Sequence, residues 1–273
     1  MGWQMQKLPV FGTFGNMLDS VIENISTAFQ VSWPWLLVLF PIRLAGDIIH
    51  FWYGKLEWAR YSLNNKEYDG IEIVVTILTA IAFASIAVNW HRFILRSEIA
   101  EGGQRLRLDG LVWRYFFFGI AIFALVTLVA LGVGLALLLV GWALSTVSTA
   151  ISILFGVVVG IPLILLLFGL TFRWSVKLVA IALGDTEFTL GDAWRSTTGN
   201  TWRLTGLYLL FVLAISLIGS VDLGSAYAAS LFNSSIVTAI VAGVSILVGW
   251  FSTLMAITML TSLYSFFVEK RTA

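Results

Sequence analysis

From Tyr115 to Phe172 the chain runs for 58 residues without a charged side chain or a histidine, bounded by Arg114 and Arg173. As one α-helix this stretch would be roughly 87 Å long, at about 1.5 Å per residue. A hydrocarbon core is only about 30 Å thick, and about 20 residues cross it. The stretch must therefore turn, and its most polar point is "GWALSTVSTA" at 141–150. Two crossings result, at about 114–140 and 149–172. Composition extends the same reading to the rest of the chain. Apolar residues make up 59% and charged residues 11%, and mean hydropathy is +0.93. A soluble domain has about a quarter of its residues charged, so this chain cannot build a hydrated skin. The expected fold is all-α: a polytopic membrane helical bundle of about six transmembrane helices plus short interfacial helices.

Charges bound the other crossings. Ile73 to Trp90 lies between Glu72 and Arg92, and Leu204 to Val221 lies between Arg203 and Asp222. A sixth crossing falls within 236–268, before "EKRTA". The first is placed at about 33–53, although Pro34, Pro41, Arg43, Asp47 and His50 interrupt it. The segment 223–235 is expected to turn, in part helically. The domain plan is then an N-terminal amphipathic segment (1–32), one transmembrane domain (33–268) and a short tail (269–273). Residues 1–30 lack the basic start and apolar block of a signal peptide. With the N-terminus inside, the cytoplasmic side receives 12 of the 16 Lys and Arg residues, against three outside. Cytoplasmic segments retain positive charge, so both termini are expected in the cytoplasm and the location is a bacterial inner membrane.

Arg43, Asp47 and His50 stand at spacings of four and three, which puts them within roughly 60° of one another on a helix. An ionised side chain at mid-membrane costs about 2.5–3.5 kcal/mol on insertion scales. These three residues, with Glu72 at the matching end of the second crossing, form a candidate intramembrane polar site. One reading is a polar cavity for proton, substrate or headgroup. The other is a buried Arg43–Asp47 pair beside the Pro41 kink that fixes helix packing.

Tryptophan and arginine recur together near the predicted cytoplasmic ends of crossings: "NWHRF" (89–93), "VWRYF" (112–116), "FRW" (172–174) and "AWRSTTGNTWRL" (193–204). Indole rings favour the headgroup layer, and arginine stems reach phosphates from the apolar side. Interfacial anchoring accounts for the pattern. The alternative is a lipid-headgroup or anion site that uses Arg92, Trp113, Arg114, Arg173, Trp174, Trp194, Arg195, Trp202 and Arg203. Thr189, with Asp192 three residues on, reads as the cap of a short interfacial helix that stops at Gly199 and Asn200. In 14–29, Phe14, Leu18, Val21, Ile22, Ile25, Ala28 and Phe29 recur at helical spacing. That segment reads as a helix lying on or under the bundle, or as a candidate docking helix for a protein partner.

Several chemistries lack their residues. The chain has no cysteine and two histidines, so no metal or other cofactor is expected. No nucleophile–base pattern, phosphate loop or concentrated basic face for nucleic acid is visible. "GVVVG" (156–160) reads as a helix-packing motif, and Pro162 as a kink.

The segments "AWRSTTGNTWRLTGLYLL" (193–210), "NWHRFILRSE" (89–98) and "FGNMLDSVIENISTAF" (14–29) resemble a family of uncharacterised six-span bacterial inner-membrane proteins, alphaproteobacterial in type. Those proteins are in turn distantly similar to the membrane domain fused to some glycerophosphodiester phosphodiesterases. The resemblance implies an all-helical bundle with N-terminal and mid-chain interfacial helices. It does not carry over the phosphodiesterase reaction, because this chain has no such domain. Three functions follow as expectations: a non-enzymatic protein that binds membrane lipid or a partner, a transporter or channel subunit using the first crossing, or a membrane enzyme acting on lipid.

Overall fold

The computed structural model describes residues 6–56, 66–232 and 234–270, with backbone alone at 43–44, 46–56, 66–72 and several positions between 222 and 242. The described residues contain helices and no strand. The helices are α1 (Val10–Glu23), α2 (Ile25–Leu56), α3 (Lys66–Arg96), α4 (Gly110–Ser145), α5 (Thr149–Phe155), α6 (Ile161–Ala182), α7 (Leu190–Ser196), α8 (Thr201–Phe232) and α9 (Ser235–Phe267). Six helical segments are long and apolar enough to cross a membrane. The chain is therefore an all-α, multi-pass membrane protein. It divides into two compact units, one of Met1–Met17, Arg114–Phe211 and Met259–Ala273, the other of Leu18–Trp113 and Val212–Thr258.

Burial follows position along each helix. In α6, Gly169 and then Arg173 and Ser175–Ala182 are buried, whereas Ile161 and Ile164 are exposed. In α3 the buried run is Ala82–His91, apart from the half-buried Phe83, and Ile73, Val74 and Ile77 are exposed. In α9, Leu254, Met255 and Met259 are buried, while Ile236, Ile240 and Leu247 are exposed. On α4, Leu128 is 68% exposed and Leu138 72%. Water does not tolerate contiguous apolar faces of this extent. Hydrocarbon does, so these faces are the lipid contact surface.

The long charge-free stretch turns where its polarity peaks. Ser145 Oγ donates to the Trp142 carbonyl and Thr146 Oγ1 to that of Ala143, which satisfies carbonyls left open at the end of α4. Ser152 Oγ then donates to the Gly141 carbonyl at 2.8 Å and ties the two arms together. The "GVVVG" motif forms a π-helical turn, Gly156–Gly160, between α5 and α6. Pro162 explains it: a proline ring clashes with the carbonyl four residues back, and a widened turn moves that carbonyl away. Gly160 is buried with Leu137 as its nearest neighbour, but Gly156 faces open space. Only one end of the motif packs.

Three boundaries differ from the sequence-based expectation. The amphipathic stretch 14–29 is two helices, because Asn24 turns its side chain onto the Ser20 carbonyl and ends α1. Its buried residues are Met17, Val21 and Ala28, whereas Ile22, Ile25 and Phe29 are exposed. In hydrocarbon the bulkiest apolar side chains need not face inward. The apolar part of α2 already begins at Ile25, earlier than expected. Lastly, α8 continues to Phe232, so the connection to α9 is far shorter than 223–235.

Candidate functional site

Two regions concentrate unusual side chains, one in each unit. In the first unit, α6 carries Arg173 and Lys177 a turn apart, 5% and 8% exposed. Among the described residues neither has a carboxylate within salt-bridge distance. Their hydrogen bonds go to neutral oxygens. Arg173 donates through Nε to Thr197 Oγ1 at 2.9 Å and through a terminal nitrogen to the Trp194 carbonyl at 2.6 Å. Longer contacts reach Thr198 and Thr201 at 3.3 and 3.4 Å. Its guanidinium also lies 3.6 Å from the centre of the Trp194 ring, which is a cation–π contact. Lys177 donates to the Phe188 carbonyl.

These partners are the two ends of the α7 segment. A seven-residue helix is marginal by itself, so its stability comes from its caps. At the N-terminus Thr189 and Asp192 form a reciprocal capping box. The Thr189 hydroxyl and N–H hold the Asp192 carboxyl below its ordinary pKa, and Arg195 and Lys177 pull in the same direction. At the C-terminus Arg173 donates to the Trp194 carbonyl, where a cation is also favoured by the helix dipole. Beyond it Gly199 adopts φ +78°. The amide of Asn200 then bonds to the backbone of Gln6 and Leu8, and Arg203 donates to the Leu8 carbonyl at 2.7 Å. The segment before α1 is thus tied, at Gln6 and Leu8, to the α7–α8 turn.

The interface residues expected from sequence therefore have unlike roles. Arg173 is an internal fastener. Arg203 is a strap. Trp174 stacks on Trp194 at 5.9 Å, and Arg195, Trp202 and Arg114 lie at the surface. Arg92 and Trp113 belong to the second unit, where Arg92 donates to Glu98 at 2.8 Å and Trp113 is exposed. The side chains of Arg43, Asp47, His50 and Glu72 lie outside the described residues. Among the described residues no three His, Asp or Glu side chains group closely enough to hold a metal ion.

The second region is a groove of about 400 Å³ in the second unit, between α2 and α9. Phe29, Trp33, Phe40 and Pro41 on α2 face Gly243 and Leu247 on α9, and every lining residue is apolar. Gly243 leaves the wall opposite Phe40 without a side chain, where a Cβ would make ordinary contact with the Phe40 ring at 3.9 Å. Phe29, Trp33 and Leu247 are exposed, so the groove opens on the lipid-facing surface. Sequence reasoning did not find it, and its available signal was the aromatic spacing 29, 33, 40 on a span bearing two prolines. Lys177 and the hydroxyls of Thr197, Thr198 and Thr201 were also missed as members of the first region. The run "STTGNT" opposite two cations without an acid was the cue. No protein-family model matches the chain, and no curated protein or solved structure was found similar to it.

Proposed function

We propose that the chain is a non-enzymatic integral membrane protein that binds lipid, taking one acyl chain into the α2–α9 groove. The groove's almost wholly apolar lining carries this reading. A site of about 400 Å³ falls in the roughly 300–1,000 Å³ range of small-ligand sites. A lining whose one side-chain donor is the Trp33 indole N–H, with no side-chain acceptor, selects hydrocarbon, and its helices are apolar enough to span a bilayer. An entering helix is a poor fit, since it measures about 10–12 Å across. The same proposal places the protein in a bacterial cytoplasmic membrane with both termini inside, on the strength of the arginine-rich loops. Kinship with the six-span family rests on the three quoted segments.

Gly243→Phe should fill the groove. Native mass spectrometry of the purified chain should then show one fewer retained lipid per molecule, with insertion and monodispersity unchanged. Gly249→Phe, placed where nothing lies within 4 Å, should retain the lipid. Unchanged retention in Gly243→Phe would overturn the reading.

A further inference from the structure

The connection between α3 and α4 leaves large apolar side chains uncovered outside the helices. Leu106 and Leu108 are 43% and 52% exposed there, and Trp113 is exposed in the first turn of α4. Hydrogen bonds hold the connection in place. Asn89 Nδ2 donates to the Gln104 carbonyl at 3.0 Å and Arg105 Nε to the Ala100 carbonyl at 3.3 Å. Asp109 Oδ1 accepts from the N–H groups of Leu111 and Val112 and so caps α4. Arg107 has extended backbone, φ −63° and ψ 128°, so Leu106 and Leu108 share one side of the chain and Arg107 takes the other. There its Nε donates to Asp109 at 2.6 Å, and it adds no charge to the leucine side. What the two leucines offer is apolar surface, which recognises hydrocarbon and not a phosphate.

The level of this side fixes what covers it. Asn89 belongs to the crossing segment Ile73–Arg96 and precedes Arg92, the first charged residue at that end. Its bond to Gln104 draws the connection back to the last apolar turn of α3 instead of letting it stand out in water. Leu106 follows Gln104 by two residues, and Leu108 precedes α4 by two. Two residues reach about 7 Å at most, close to the depth of one headgroup layer. The leucines therefore continue the lipid-facing surface of the crossings into the boundary between acyl chains and headgroups. An indole such as that of Trp113 favours the same layer.

We propose that the α3–α4 connection is a membrane-surface anchor that inserts Leu106 and Leu108 among the acyl chains of the adjoining leaflet, with no requirement for anionic lipid. It goes beyond the acyl-chain reading and does not depend on the groove. Because the chain has no cysteine, Leu106→Cys and Leu108→Cys each place one nitrobenzoxadiazole fluorophore on the full-length protein. In nanodiscs of phosphatidylcholine, which carries no net charge, a 5-doxyl phosphatidylcholine should quench both labels, iodide should quench neither, and added salt should change nothing. Three results overturn the proposal. Iodide quenching at 106 and 108 would put the leucines in water. Protection from both quenchers would assign the surface to a protein partner or a second copy of the chain. Equal lipid quenching at Glu101→Cys, an exposed charged position of the same connection, would reflect the fluorophore's own affinity for the bilayer.

Discussion

Replacing Arg173 with leucine is expected to lower stability by about 3 kcal/mol and to release the 185–203 segment from α6. Charge-assisted hydrogen bonds are worth about 1.5–3 kcal/mol each, and Arg173 makes two short ones, to Thr197 and Trp194, besides its contact with the Trp194 ring. Two effects oppose that loss. Leucine removes the cost of keeping a guanidinium out of water. Moreover, Thr197 already donates to the Ala193 carbonyl at 2.8 Å, so some groups keep a partner. The Trp194 carbonyl and the end of α7 lose their cationic cap, and that deficit dominates. Thermal unfolding in detergent, with hydrogen exchange over α7, would measure both parts. Arg173→Lys should recover only part of the loss, because an ammonium lacks the planar fork that serves Thr197 and Trp194 together. An unchanged melting curve for Arg173→Leu, with α7 protected, would show that the arginine is not the fastener.

Gly169→Ala should be the costliest single methyl in the first unit. A Cβ there would lie 2.3 Å from Thr205 Oγ1 and 3.3 Å from the Thr201 carbonyl oxygen and the Thr205 nitrogen. Two of these atoms are backbone of α8, so α6 and α8 cannot both keep their positions. The Thr205 hydroxyl is itself held by the Thr201 carbonyl at 3.0 Å and is not free to swing away. Overpacking of this kind costs about 1–3 kcal/mol, and the stacked pair Phe168–Tyr208, 4.5 Å apart one position along, would be disturbed with it. Thr205→Ala in the Gly169→Ala background should return part of the loss, since it deletes the nearest atom and leaves the two 3.3 Å contacts. A double-mutant cycle by thermal unfolding reads this coupling. Additive effects would place the clash elsewhere.

The fold was legible where one physical requirement outweighed the rest. No soluble packing accommodates 58 uncharged residues, so the hairpin of α4 with α5 and α6 followed from length alone. The serine and threonine cluster located its turn because hydroxyls can satisfy the open carbonyls. The capping box of α7 was readable because Thr189 and Asp192 carry the whole motif within four residues. Legibility failed where a side chain's partner lies far along the chain. Arg173 looked like a headgroup anchor because sequence shows its apolar neighbours and not the threonines 24 and 28 residues away. The apolar repeat of α1 and early α2 did not reveal which side packs for another reason: inside lipid, hydrophobicity no longer marks the inward side. The groove was invisible because it depends on a missing side chain, that of Gly243, opposite an aromatic on another helix.

Six segments are long and apolar enough to cross a membrane, and the proposed topology puts positions 7 and 270 on one side and the α4–α5 turn on the other. Because the chain has no cysteine, single cysteines report cleanly. Lys7, Thr146 and Lys270 are all exposed. In intact bacterial cells made permeable only at the outer envelope, a membrane-impermeant maleimide should label Thr146→Cys and spare Lys7→Cys and Lys270→Cys until the cytoplasmic membrane is opened. Labelling of positions 7 and 270 from opposite sides, or of 146 together with both, would contradict the account.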